Sequence, residues 1–166
     1  GVPHFEIRQK RDLDQPMNGL IIPGGESTVM NKLLRELDLY DTLRERIQSG
    51  LPVFGTCAGL ILLAKQIDGG IPCFSVMDIR VKRNAYGRQL GSFHTVAELK
   101  GVGEVPMTFI RAPYVAETGD GVEVLATVDG KIVGVQYKNQ MAFAFHPELD
   151  DDTRIHEKFA AMVRDK

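Results

Sequence analysis

The 166-residue chain carries no surplus of either charge: 20 Lys and Arg stand against 22 Asp and Glu, for a formal net charge of −2. Without a basic excess there is nothing to drive association with a phosphate backbone, which excludes a general nucleic-acid binder. Cysteine is scarce too. Two residues, Cys57 and Cys73, cannot build a disulfide framework, and they point to a reducing, cytoplasmic setting. Long apolar runs are missing; the stretch at 60–64 falls far short of the ~20 residues of a membrane span. The opening segment 1–11 mixes charged and apolar residues and has no apolar core of a signal peptide. No internal repeat, low-complexity tract or charge block divides the chain, so it reads as one domain, 1–166. What remains, 43% hydrophobic and 25% charged residues, is the composition of an ordinary globular domain with a sizeable core. Glycine alone is in slight surplus, with 17 residues.

The first half alternates short apolar runs with helical patterns. Gly19-Leu20-Ile21-Ile22-Pro23 reads as a buried strand closed by Gly24-Gly25. Apolar residues then recur at helical spacing over 27–48, with Ser27 as the N-cap, a break near Asp38 and a stop at Gly50. Pro52-Val53-Phe54-Gly55 reads as a second buried strand and 58–66 as an apolar helix. This order predicts an α/β, three-layer, mostly parallel, flavodoxin-like sheet with helices on both faces. The second half predicts strands at 92–99, 105–110, 122–128 and 141–145, with an Asp129-Gly130 hairpin turn, so an antiparallel edge is expected there. Residues 153–164 form an amphipathic helix with Ile155, Phe159, Met162 and Val163 on one face.

Three segments carry chemistry. Gly55-Thr56-Cys57-Ala58-Gly59 is G-x-C-x-G between a strand and a helix, the thiol form of a nucleophile elbow. Glycines flank Cys57 because the turn crowds its neighbours, and the following helix N-terminus is expected to favour the thiolate. The alternative for Cys57 is a small buried hydrophobe. A thiol nucleophile needs a base and the base an orienting group. Of the four histidines, His146 follows the 141–145 strand and precedes Pro147-Glu148, which puts an imidazole and a carboxylate beyond a strand's carboxyl end. His156 reads as a surface or partner residue, and His4 carries no signal. The third segment, Pro23-Gly24-Gly25-Glu26-Ser27-Thr28, offers backbone N–H groups of the kind an oxyanion hole uses, although such loops also bind phosphate or simply turn.

Together these segments resemble the class I (triad) glutamine amidotransferases, and more specifically the glutaminase subunits of pyridoxal 5′-phosphate synthase. The resemblance rests on Gly-Leu-Ile-Ile-Pro-Gly-Gly-Glu-Ser-Thr (19–28), Gly-Thr-Cys-Ala-Gly-Leu (55–60), Arg-Asn-Ala-Tyr-Gly-Arg-Gln (83–89), Phe-Ile-Arg-Ala-Pro (109–113) and Phe-His-Pro-Glu-Leu (145–149), in the family's order and over nearly the whole chain. It implies Cys57 as nucleophile, His146 as general base and acid, and Glu148 as its orienting partner. It further implies Gly24, Gly25, Glu26, Arg83, Ile110 and Arg111 in the glutamine site, and N–H groups of Gly24 or Gly25 and of Ala58 in the oxyanion hole. A guanidinium suits the α-carboxylate of glutamine. The implied reaction is L-glutamine to L-glutamate and ammonia through a cysteine thioester. The ammonia would pass to a synthase subunit that builds pyridoxal 5′-phosphate from a pentose phosphate and a triose phosphate, in a hetero-oligomeric complex. That partner would also raise a weak basal activity. No metal or organic cofactor, nucleic acid or membrane is implied.

Two departures from the family's pattern stand out. The resemblance implies a strand and helix ahead of the region matching Gly1, so the native protein is expected to be longer, because loss of a core strand would expose a sheet edge. His94 stands where an acidic residue is expected. Other readings are a glutaminase subunit of a histidine-pathway synthase, which should lack Phe-Ile-Arg-Ala-Pro, a silent binding module that would be free to lose the triad, and a cysteine redox protein that would not need the Gly-Gly-Glu-Ser loop. Cys73, after Gly69-Gly70-Ile71-Pro72, is expected to lie in a loop and be inert.

Overall fold

A computed structural model describes residues 1–83 and 92–166. A 3₁₀ turn at Lys10–Asp14 leads into β1 (Leu20–Ile22), α1 (Ser27–Glu36), α2 (Tyr40–Gln48), β2 (Val53–Thr56), α3 (Ala58–Leu63), β3 (Ala64–Asp68) and β4 (Met77–Lys82). Then follow β5 (Ser92–Leu99), β6 (Gly103–Ile110), β7 (Tyr114–Thr118), β8 (Glu123–Val128), β9 (Lys131–Tyr137) and β10 (Gln140–Phe143). A 3₁₀ turn at Pro147–Leu149 and α4 (Arg154–Arg164) complete the order.

The main sheet runs β1-β2-β10-β9-β7-β4-β3, with β8 pairing β9. Its site-bearing part is parallel: β2 lies between β1 and β10, in register Ile22↔Gly55 and Phe143↔Thr56. Antiparallel pairs (β10 with β9, β9 with β7 and β8, β4 with β7) gather in the second half, as the sequence predicts. The β5–β6 hairpin stands apart as a two-stranded sheet, paired from Ser92↔Ile110 to Leu99↔Gly103.

All four residues of β2 and of β10 are buried, as continuous apolar strands covered on both faces must be. On one face Phe54 stacks on Phe159 of α4 at 5.4 Å and meets Phe143 edge-on at 5.7 Å. On the other, Gly55 lies against α3, where a methyl at residue 55 would come within 2.9 Å of the Gly59 carbonyl carbon. The helix in turn sits on the end of β1. A methyl at Gly59 would be 2.1 Å from the Ile22 carbonyl oxygen, so only glycine allows this approach. All six residues of α3 are buried.

The structure moves several boundaries. Glu26, not Ser27, caps α1: its carboxylate accepts from the N–H groups of Thr28 (3.3 Å) and Val29 (2.7 Å). The helix predicted over 58–66 ends at Leu63, where the chain turns extended at Ala64 and enters β3. Pairing of Ile67 with Val81 overrides the helical preference of Ala-Lys-Gln. The break at Asp38 is present, with φ of 57°. Helix α4 buries Ile155 and Phe159, with Met162 and Val163 packed beside them. Its His156 is half-buried, with its ring 5.4 Å from Phe54 rather than free at the surface. The α4 N-terminus is tied to the hairpin through Arg154, which donates to the carbonyls of Val102 and Glu104 and pairs with Asp152. Those Arg154 hydrogen bonds hold the Asp152 carboxyl down at about 2.

Candidate active site

The carboxyl ends of the three adjacent parallel strands deliver the three chemical segments to one edge. β1 leads through Pro23 to Gly24-Gly25-Glu26, β2 runs directly into Cys57, and β10 is followed by Ala144, Phe145 and His146. This is the edge at which open α/β sheets bind ligands.

Cys57 occupies the single residue between β2 and α3, at φ 51° and ψ −102°. A non-glycine residue at positive φ is strained, and this one is held by its surroundings: its N–H donates to the Phe143 carbonyl at 2.8 Å. Its carbonyl accepts from Ile61 at 3.3 Å. The residue is 8% exposed, and its sulfur lies 3.9 Å from the Ile110 carbonyl, to which the thiol can donate.

Burial pushes the Cys57 thiol above its ordinary value, the Ala58 N–H pulls it back, and the negative charge of Glu148 raises it again. The expected preference for thiolate is therefore not met. Helix α3 has six residues, and the one N–H that favours the anion does not outweigh the loss of solvent around the sulfur. A thiol in this state attacks only if a base removes its proton as the reaction proceeds.

His146 supplies an imidazole that is already oriented. Nδ1 lies 2.6 Å from Glu148 Oε1, and the backbone N–H of His146 donates to the Thr108 carbonyl at 2.8 Å. The imidazole is 13% exposed and the carboxylate 44%. Pro147 begins the 3₁₀ turn between them, which brings two side chains two residues apart to hydrogen-bond distance. Gly24 forms the opposite wall. A methyl there would fall 2.4 Å from His146 Cε1, so the ring lies directly on the Gly24 backbone.

The remaining candidates border this edge. Arg83 donates to Thr28 Oγ1 and to the Gly69 carbonyl, each at 3.3 Å. Glu26 has its carboxyl held below its ordinary value, first by the Val29 N–H and further by the Thr28 N–H and the Arg83 charge. Ile110 closes β6 beside Cys57, and Arg111 follows it, exposed, with φ of 45°. Of the motif at 83–89, residues 84–89 lie outside the described residues. Cys73 is buried in a loop and pushed up to about 11 by burial, as suits an inert thiol. Among the described residues no group of three His, Cys, Asp or Glu side chains could hold a metal ion. No helix among them is long and apolar enough to cross a membrane. No local sequence pattern marks Thr108, which anchors the His146 backbone across 38 positions.

A family model described as the SNO glutamine amidotransferase family matches residues 1–165. A protein of Desulfitobacterium hafniense (strain Y51), named pyridoxal 5′-phosphate synthase subunit PdxT, is 56% identical over 166 residues, covering 99% of this chain and 83% of its own. One of the same name from Methanocorpusculum labreanum is 55% identical over 163 residues, covering 98% and 86%. A crystal structure titled as a glutamine amidotransferase superposes with a TM-score of 0.92 at 42% identity, over 98% of this chain and 87% of that one.

Proposed function

The chain belongs to the SNO glutamine amidotransferase family, and from that premise we infer that it is the glutaminase subunit of a pyridoxal 5′-phosphate synthase, hydrolysing L-glutamine for a synthase partner. In this reading Cys57 Sγ attacks the side-chain amide carbon of glutamine while His146 takes the thiol proton. The carbonyl oxygen becomes an oxyanion beside the Ala58 N–H and an N–H of Gly24 or Gly25. The tetrahedral adduct collapses, the C–N bond breaks, and His146 returns its proton to the leaving ammonia. Water, deprotonated by His146, then opens the γ-glutamyl thioester to glutamate and regenerates the thiol. Glu148 keeps the proton on Nδ1, so that the other ring nitrogen serves as base, and it offsets the imidazolium charge at each transfer.

Glutamine is held, in this proposal, by Glu26, Arg83, Ile110 and Arg111, with a guanidinium on the α-carboxylate. The ammonia is delivered within a hetero-oligomeric complex. A nucleophilic thiol that must stay reduced fits the cytoplasm, where we place the protein.

The observation that carries the reading is the 2.6 Å His146–Glu148 hydrogen bond, set on the strand end beside the strained Cys57 elbow. The test is ammonia release from glutamine by the chain with and without its synthase subunit. Turnover that rises with the partner and disappears in Cys57→Ala is expected. Undiminished turnover in Cys57→Ala would remove this thiol from the reaction, and absence of ammonia in the complex would overturn the glutaminase reading.

A further inference from the structure

The turn that bears His146 and Glu148 is gripped at both ends by one residue of the neighbouring hairpin. At its start, the His146 N–H donates to the Thr108 carbonyl at 2.8 Å. At its finish, the Thr108 hydroxyl lies 3.1 Å from both carboxylate oxygens of Asp150, the residue that closes the 3₁₀ turn. Two backbone bonds keep the segment between them short: Leu149 N–H to the His146 carbonyl and Asp150 N–H to the Pro147 carbonyl, each 3.2 Å. Asp150 is 11% exposed at its side chain, and His94, directly across the hairpin from Thr108, reaches Oδ1 with Nε2 at 3.3 Å. A hydroxyl donating to a carboxylate is a charge-assisted bond, stronger than a neutral one.

We propose that Thr108 and Asp150 are positioning residues that fix the His146–Glu148 pair by clamping the turn to the β5–β6 hairpin. The proposal rests on the glutaminase reading for its kinetic consequence but not for its geometry. Neither residue is argued to touch the substrate. The hairpin's end also bears Ile110, whose carbonyl faces the Cys57 sulfur, so the same element sets the distance between the turn and the nucleophile's surroundings. The backbone grip fixes the start of the turn, and the hydroxyl–carboxylate grip fixes its finish beside the His94 contact.

Thr108→Val removes the hydroxyl while keeping shape and the backbone carbonyl, and Thr108→Ser restores the hydroxyl. In the complex with the synthase subunit, Thr108→Val is expected to lower kcat for glutamine about ten- to a hundredfold, the scale of a misplacement near 1 Å, with KM changed less than about twofold. Thr108→Ser is expected to return kcat to within about threefold of the parent. A second readout does not need turnover. The Nδ1 proton of the short His146–Glu148 bond should give a far-downfield proton resonance in the chain, lost or broadened in Thr108→Val and present in Thr108→Ser. Parent kcat together with an unchanged resonance in Thr108→Val overturns the clamp, as does a Thr108→Ser variant no better than Thr108→Val. If the parent complex releases no ammonia while the resonance still depends on the hydroxyl, the glutaminase reading falls and the clamp stands.

Discussion

Gly24→Ala separates the geometry of the imidazole from the stability of the fold. The Gly24 backbone lies outside the left-handed region, so alanine adopts it without strain, and the three atoms nearest the added methyl all belong to the His146 ring. At 2.4 Å from Cε1 it is about 1 Å inside an ordinary carbon–carbon contact. The ring is the far end of a side chain and can yield. Yielding by that amount strains the 2.6 Å bond to Glu148 and displaces the ring nitrogen proposed as the base. A 1 Å misplacement in a site of this kind costs about 10²-fold in rate, or about 2.7 kcal/mol of barrier. Removing a glycine from the unfolded chain returns about 0.4–1 kcal/mol, which offsets part of the crowding. Melting should therefore stay within about 4 °C of the parent. The assay is steady-state ammonia release in the complex, with calorimetry on the same samples. A Gly24→Ala variant that keeps kcat within about threefold refutes the argument that His146 is seated on the Gly24 backbone. A loss of more than about 10 °C would refute the claim that this glycine serves the site rather than the fold.

Gly59→Ala should behave in the opposite sense, since its methyl would meet the Ile22 carbonyl, a backbone wall that cannot rotate away; overpacking of about 3 kcal/mol predicts a melting temperature lower by about 6–12 °C, and calorimetry showing no drop would refute the close approach of α3 to β1. Burial raises the Cys57 thiol, so alkylation by iodoacetamide in the isolated chain should climb with pH to a midpoint above an ordinary thiol, and a plateau already reached near pH 7 would contradict it. Cys73, pushed up to about 11, binds its proton more tightly folded than unfolded. Its contribution is fully present below the ordinary thiol value and is lost as pH rises from there through about 11. Urea midpoints of Cys73→Ala should then fall less steeply over that alkaline window than those of the parent; equal slopes would show that Cys73 is not the group responsible.

The elbow was legible because its determinants are consecutive. A short apolar strand, two glycines around a cysteine and an apolar helix fix where Cys57 sits without reference to anything distant, and His-Pro-Glu after a buried strand is equally local. The α1 cap is local as well, but residue preference misleads there. Ser27 is the more common capping type, yet the longer Glu26 side chain reaches the Thr28 and Val29 N–H groups. Strand β4 had a readable signal, the alternation Met77, Ile79, Val81 against Asp78, Arg80, Lys82, whose burial pattern follows the same period. The end of α3 had none. Ala64, Lys65 and Gln66 favour helix, and only the pairing of β3 with β4 makes that segment extended. The grip of Thr108 on Asp150 joins residues 42 positions apart, beyond any periodicity.

The thiol's protonation state lay furthest from the sequence, because it is a balance among burial, one N–H and one carboxylate set by the whole fold. That balance has a consequence for the reaction. Glu148 meets both members of the proposed pair: its charge raises the Cys57 thiol, and its Oε1 lies 2.6 Å from His146 Nδ1. Taken alone, the first effect disfavours the nucleophile. In the proposed reaction, the raised thiol therefore needs a base to take its proton as the sulfur attacks. In that proposal the placement of His146 matters more than a low thiol pKa, so the contacts of that ring, with Gly24 on one side and the Thr108-anchored turn on the other, are where small changes should cost the most activity.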